Sequence, residues 1–462
     1  QPIAIRFQQT WWRSKRVSSM GAVGAPTATH LDKDRSQLWR KGLRPAISRR
    51  YWSVGRRHGP GLSPLACALR RCFACYVGMD LMKRASRSDR FAPAHQAFFL
   101  LACGQAVVAV PLWLAEWSGW LAPCAACSPS LRHAHELLLG YAAAVIGGFL
   151  FTRLRWPGLA AAIFAWSVGR IAAYADAHIL SAAAALAFPA TLAVLAGWPF
   201  ARAARTVRNL AFAPVLFGFL AAEALYQAGQ FGLLAEGRAR GVALALDMTL
   251  TMLLVMGGRL IPAAMAGVLR QRGEAMADRN GPRLELVSLA AMAGAAIAHL
   301  ADNWALAGMG WFAAGAASAM RLSRWRFMAA LDAPSLWPLQ VGYGCLSGGL
   351  VATALAVWTG WWSVTATMHL ATIGGLGVIS LTMMVRTAML RDRLSTTYPR
   401  AALVAVVLLL AATGVRVASP LAPDFLLPMA MLAWSTAFGL TAWTLMSFLR
   451  SKSDAARPLP PA

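Results

Sequence analysis

The sequence predicts an all-α polytopic membrane protein of about twelve transmembrane helices, with both termini cytoplasmic. Three observations carry this. The 462 residues are 58% hydrophobic and 13% charged, with a mean hydropathy of +0.52, more apolar and less charged than soluble globular chains. Runs of roughly 18–25 residues recur nearly free of charge, the length a helix needs to cross about 30 Å of hydrocarbon at 1.5 Å per residue. Lys and Arg gather on every second connection, as they do in cytoplasmic loops. A membrane β-barrel would alternate apolar and polar residues in stretches of about ten, and no stretch does so.

The chain opens differently. Residues 1–78 hold fifteen Lys and Arg against Asp32 and Asp34, half of the net charge of +26, and contain no long apolar run. This basic segment reads as upstream sequence translated ahead of a true start at Met79 or Met82. An Arg-rich targeting peptide and a disordered basic tail are the alternatives. A pI near 11.3 would suit a nucleic-acid binder, but the remaining basic residues follow the membrane pattern, so the expected partner is the lipid bilayer and no nucleic acid. Residues 79–94 form a cytoplasmic lead, 95–450 the membrane domain and 451–462 a cytoplasmic tail.

Hydrophobic runs between breakers place the spans near 95–117, 132–152, 157–175, 177–198, 209–232, 241–264, 284–302, 304–320, 337–358, 362–389, 401–419 and 424–449. The cytoplasmic ends carry Arg153 and Arg155, Arg202, Arg205 and Arg208, Arg270 to Arg283, Arg321 to Arg326, Arg391 and Arg393, and Arg450. The opposite side carries Arg132, Arg238 and Arg240. Trp113, Trp117, Trp120, Trp198, Trp358, Trp361 and Trp362 stand near span ends, where interfacial belts form.

Orientation then ranks the histidines by depth. His133 and His135 open span 2, His178 opens span 4, His299 closes span 7, and His369 lies about seven residues, roughly 10 Å, inside span 10; all five fall in the non-cytoplasmic half. An ionisable group inside hydrocarbon is costly and faces a partner or cofactor, so His133, His135, His178 and His299 are metal-ligand candidates, and His133, His135 and His369 cofactor-ligand candidates. His95, at the cytoplasmic edge, reads as an interfacial residue. At 100° per residue, His133, Glu136, Gly140, Ala144 and Gly147 share a stripe, while His135 points almost the opposite way. The two histidines therefore serve two sites, or the helix begins between them.

Gly374, Gly375 and Gly377 beyond His369 allow either something flat or another helix to approach the backbone. Arg170, Glu223, Asp247, Arg259 and Arg386 are charges within spans, for which ion pairing is the simplest reading. Met-rich stretches such as "DMTLTMLLVM" read first as helix packing. Of seven cysteines, Cys124 and Cys127 form a CxxC in a short loop, read as a disulfide or as a metal or redox pair.

"HAHELLLGYAAAVIGGFLFT" (133–152), "GGRLIP" (257–262) and "MHLATIGGLGVISLTMMVR" (368–386), in that order across twelve spans and preceded by "AFFLLA" (97–102), resemble the NnrS family over about residues 90–450. The resemblance implies a bacterial inner-membrane protein of the nitric oxide response and nitrosative stress tolerance, with haem, as haem b, and copper as cofactors and nitric oxide as a ligand. The matched positions are His133, His135, Glu136 and Gly140, then Gly257, Gly258, Arg259 and Pro262, then His369, Gly374, Gly377 and Arg386. The chain departs from the family at "HQAFF", where an Arg-Pro pair is common, at Arg155-Trp156-Pro157-Gly158 in place of Asn-Trp-Thr-Gly, at Gln340 in place of a His, and after span 10, where a His-Thr-Gly stretch is absent. The last two are cytoplasmic.

The expected function is a haem-bearing protein of nitric oxide defence, with His133 or His135 and His369 as axial ligands and Arg259 and Arg386 in a structural or second-site role. A twelve-span transporter of a small molecule or metal ion is the alternative, and a cofactor-free scaffold or assembly chaperone a third. Walker A, dinucleotide-binding and HExxH motifs are absent from the sequence.

Overall fold

The computed structural model describes residues 91–121, 128–174, 178–203, 209, 211–274, 276, 281–394 and 397–455. Within Ala92–Ala462, one compact unit, the described residues form helices and connections with no strand. Twelve helical rods follow in order. They are α1 (Ala94–Trp117), α2 (129–150), α3 (Trp156–Ala172), α4 (Ile179–Ala203), α5 (Phe212–Gln230), α6 (Gly237–Gln271), α7 (Pro282–Leu300), α8 (Trp304–Leu322), α9 (Trp337–Thr359), α10 (Val364–Arg391), α11 (Arg400–Ala418) and α12 (Pro423–Ala455). Each coincides with one predicted span, the largest overshoots being at the ends of α6, Gln271 against 264, and α12, Ala455 against 449. The protein is an all-α polytopic membrane protein.

Nine of these described rods are long and apolar enough to cross a membrane by themselves. The other three are α2, which carries Arg132 and Glu136 and is broken by a π turn; α3, with 17 residues; and α8, whose glycines, tryptophans and Arg321 lower its hydropathy.

Local chemistry sets the boundaries. Pro129 and Pro282 sit in the first turns of α2 and α7, where the missing N–H costs nothing. The Asn303 side chain accepts from Leu306 N at 3.0 Å to start α8. Gly360, at φ +63°, ends α9 in the left-handed region that glycine enters freely.

Sequential rods pack as neighbours, and α12 returns to lie against α1. The most interior of the nine apolar rods are α10 and α6, and both meet α2 or its neighbours. Trp117, Trp120, Trp198, Trp358 and Trp361 are exposed near rod ends, as belts require. Trp113 and Trp362 are only partly exposed. Trp113 packs on His133, and Trp362 donates to Val417 O at 2.9 Å.

Candidate functional site

The first turns of α2 hold Arg132, His133, His135 and Glu136, and a π turn follows over Glu136–Ala142. A second π turn, Leu370–Gly377, follows His369 in α10. π turns are rare and concentrate at functional positions. The i→i+5 bonding also takes more residues per turn, so the stripe counted at 100° per residue drifts once the π turn begins. Glu136 begins that turn, and three α-helical residues after His133 its side chain is offset by about 60° and meets Arg170 and Gln105 instead.

His133 instead faces α1 and α10. Its ring packs on Trp113 at 4.5 Å between centroids and lies 6.3 Å from the ring of His369, with planes 19° apart. His369 Nδ1 meets Thr365 O at 2.5 Å. A carbonyl only accepts, so Nδ1 carries the proton and Nε2 keeps its lone pair. His133 Nδ1 is buried without a hydrogen-bond partner among the described residues. Arg416 of α11, which donates to Ser419 Oγ at 2.8 Å, lies within electrostatic reach of both imidazoles.

Two imidazoles sharing one ion between them have ring centres roughly 5–6.5 Å apart, given metal–nitrogen bonds of about 2 Å. The His133–His369 separation falls in that range. An orphaned ring nitrogen on one side and a tautomer fixed by a carbonyl on the other are what a ligating pair needs. The donor set fits haem iron and copper alike.

His135 has a different role. Its Nδ1 lies 3.1 Å from Glu136 Oε1 and its Nε2 3.0 Å from Glu223 Oε2 on α5, and Tyr226 covers its ring at 4.2 Å. Glu136 also accepts from Arg170 Nη1 at 2.9 Å and Gln105 Nε2 at 2.7 Å, and Glu223 from Gln227 Nε2 at 2.7 Å. His135, Glu136 and Glu223 are all at most 1% exposed. Ionised carboxylates only accept, so both ring nitrogens of His135 donate. Two carboxylates, Arg170 and an imidazolium then sum to zero charge, the state a buried cluster requires. With both nitrogens committed, His135 has no lone pair for a metal. Gly140 makes room for this network: a Cβ there would lie 3.0 Å from Gln105 Nε2 and 3.1 Å from Arg170 Nη1.

The remaining predicted ligands stand apart from the pair. His299 Nδ1 meets Asp247 Oδ2 at 2.6 Å, Trp311 Nε1 donates to Asp247 Oδ1 at 3.0 Å, and Trp304 and Trp311 enclose the imidazole. His178 is the exposed N-cap of α4, where its Nδ1 accepts from Leu180 N at 3.2 Å. The four predicted metal ligands, His133, His135, His178 and His299, thus sit in separate surroundings. Among the described residues, no group of three or more His, Cys, Asp or Glu side chains is arranged to hold a metal ion. Cys124 and Cys127 lie outside the described residues.

Of the two readings of the glycines, helix packing is the one observed. A Cβ on Gly374 would lie 2.8 Å from Cys345 of α9, and one on Gly377 3.1 Å from Trp434 of α12. Of the intramembrane charges named from the sequence, Arg170, Glu223, Asp247 and Arg259 have ionisable partners, whereas Arg386 meets a neutral hydroxyl. Arg259 donates to Glu285 Oε1 at 3.1 and 3.0 Å, Arg321 lies 3.6 Å from the same carboxylate, and Arg386 donates to Ser335 Oγ at 2.7 Å. His95 reaches Asp392 at 3.4 Å.

Sequence reasoning overlooked Arg416, Gln105 and Tyr226, and gave Glu223, Asp247 and Arg170 no named partners. Periodicity assigns a face to each residue but not the rod that the face meets. The only available signal was the cost of leaving a charge in hydrocarbon.

The family model described as NnrS protein matches residues 90–453. No curated protein matches the chain.

Proposed function

Since the chain belongs to the NnrS family, we propose that it is a metal-bearing protein of the bacterial inner membrane, acting in the nitric oxide response and nitrosative stress tolerance through a centre held by His133 and His369. The observation that carries this reading is the imidazole pair across α2 and α10, with His133 Nδ1 buried and unpartnered among the described residues and His369 Nδ1 anchored on Thr365 O. Haem b or copper would be held there by His133 and His369 and would supply the metal that nitric oxide meets when one imidazole yields its place or a coordination position is open.

The protein's own residues do the rest. Thr365 O fixes the His369 tautomer, and Trp113 limits the ring of His133 to one orientation. The neutral cluster around His135 ties α2 to α1, α3 and α5 and so holds the helix start from which His133 projects. Arg416, within electrostatic reach of the pair, would suit an anionic group such as a haem propionate.

The test is an absorption spectrum with metal analysis on protein purified from bacterial membranes. A Soret band that shifts on adding nitric oxide supports haem, and stoichiometric copper without that band supports copper. Protein with neither group, active in substrate uptake in liposomes, would support the transporter reading instead.

A further inference from the structure

A second feature of the membrane domain points to a ligand of its own. Between α2, α6, α9 and α10 lies a partly open cavity of about 70 Å³, with Ala142 and Ile146 on one wall, Met252 and Met256 on another, and Leu376 and Ser380 on a third. Its position is tied to both π turns. Ala142 is the last residue of the π turn in α2, and Leu376 lies within that of α10. Counted along the helices, Ala142 is nine residues beyond His133 and Leu376 seven beyond His369, or roughly 10–14 Å deeper in the membrane.

The chemistry of the lining decides what can enter. The two hydroxyls on the wall are engaged elsewhere: Thr249 Oγ1 donates to Ala245 O at 2.8 Å, and Ser380 Oγ bonds Leu376 O and meets the Tyr141 hydroxyl at 2.5 Å. The rest of the surface is aliphatic, aromatic or thioether. A buried water requires about two to four polar partners, and apolar cavities stay dry. Water is therefore a poor occupant, and an ion is excluded by the cost of desolvation.

Size narrows the choice further. An engineered apolar cavity of about 150 Å³ accepts benzene or xenon. Half that volume is too small for a benzene-sized ring, a haem or a quinone head group. It does suit xenon or an uncharged molecule of two or three heavy atoms. Ala142, Met252, Leu376 and Ser380 are buried, while Phe149, Met256, Leu260 and Met383 on the same lining are partly exposed, so the cavity has an interior floor and a mouth at the apolar surface.

We propose that this cavity is a binding site for a small apolar gas molecule, held by dispersion contacts on the same two helices that present His133 and His369. The site is independent of whether those histidines hold a metal, so its failure and the failure of the metal reading are separable.

Crystals of the full chain pressurised with xenon test the proposal through anomalous scattering. The expected result is one peak bounded by Ala142, Met252 and Leu376, absent in Ala142→Leu, whose added carbons fill the space. Should Ala142→Leu not fold, Leu376→Phe fills the cavity from the opposite wall. Absence of the peak from the wild-type protein, its persistence in a folded filled variant, or continuous acyl-chain density through the cavity overturns the proposal.

Discussion

His133 on α2 and His369 on α10 face each other with ring centroids 6.3 Å apart and planes 19° apart. Two residues further along α2, His135 gives both ring nitrogens to Glu136 and Glu223. Neighbouring imidazoles on one helix thus differ in kind. One has a ring nitrogen with no partner among the described residues, and the other is the cation of a balanced buried cluster. A helix advances about 100° per residue, so residues two apart meet opposite surroundings.

The cluster around His135 is expected to stabilise the fold only as a whole. Glu223→Gln leaves the imidazolium and Arg170 facing a single carboxylate, and removing one partner of a buried pair costs about 3–5 kcal/mol. His135→Leu alone strands the second carboxylate and should cost a similar amount. Combined, the two substitutions should cost less than their sum by about 0.5–3 kcal/mol. Unfolding in mixed micelles measures all three, and strict additivity would show that the residues are not coupled.

Gly258 lies against the guanidinium of Arg321, which donates to Gly258 O at 2.8 Å. A Cβ at position 258 would fall 2.5 Å from Arg321 Nη1. Gly258→Ala is therefore expected to destabilise by about 1–3 kcal/mol through overpacking. Gly414, with no atom near its Cβ position, is the control. Gly414→Ala should be neutral or stabilising by up to about 1 kcal/mol, as in an exposed helix interior. Equal losses in both variants would contradict the close approach of Arg321.

His178 acts as a helix cap on an exposed surface. His178→Ala should lower stability by no more than about 1 kcal/mol and leave the metal content unchanged. Metal analysis of the purified variant beside wild type checks this, and a stoichiometric loss of metal would assign His178 a ligand role.

The twelve rods were legible because hydropathy and charge bias both report on a bilayer, and each rod satisfies its own backbone hydrogen bonds. Less of the site could be read. That His133 and His135 must part company followed from helical geometry, but the shared stripe of His133 and Glu136 did not reveal that their side chains, about 60° apart, meet different rods. The pairing of His133 with His369, of His135 with Glu223 and of His299 with Asp247 joins residues far apart in sequence, and a hydrophobic pattern contains no term that selects among rods. Trp113 shows the same limit. Its place near a span end suggested the membrane interface, while its ring is part of the His133 surroundings. Gly374 and Gly377 were legible as sites of close approach, and the side chains of Cys345 and Trp434 decided what approaches.

The most direct test compares absorption spectra and metal content for wild type, His133→Ala, His369→Ala and His135→Gln, each purified and checked for folding. Loss of the bound group in His133→Ala and in His369→Ala, with retention in folded His135→Gln, is the expected result. Full retention in His369→Ala, or loss confined to His135→Gln, would contradict a centre held by His133 and His369.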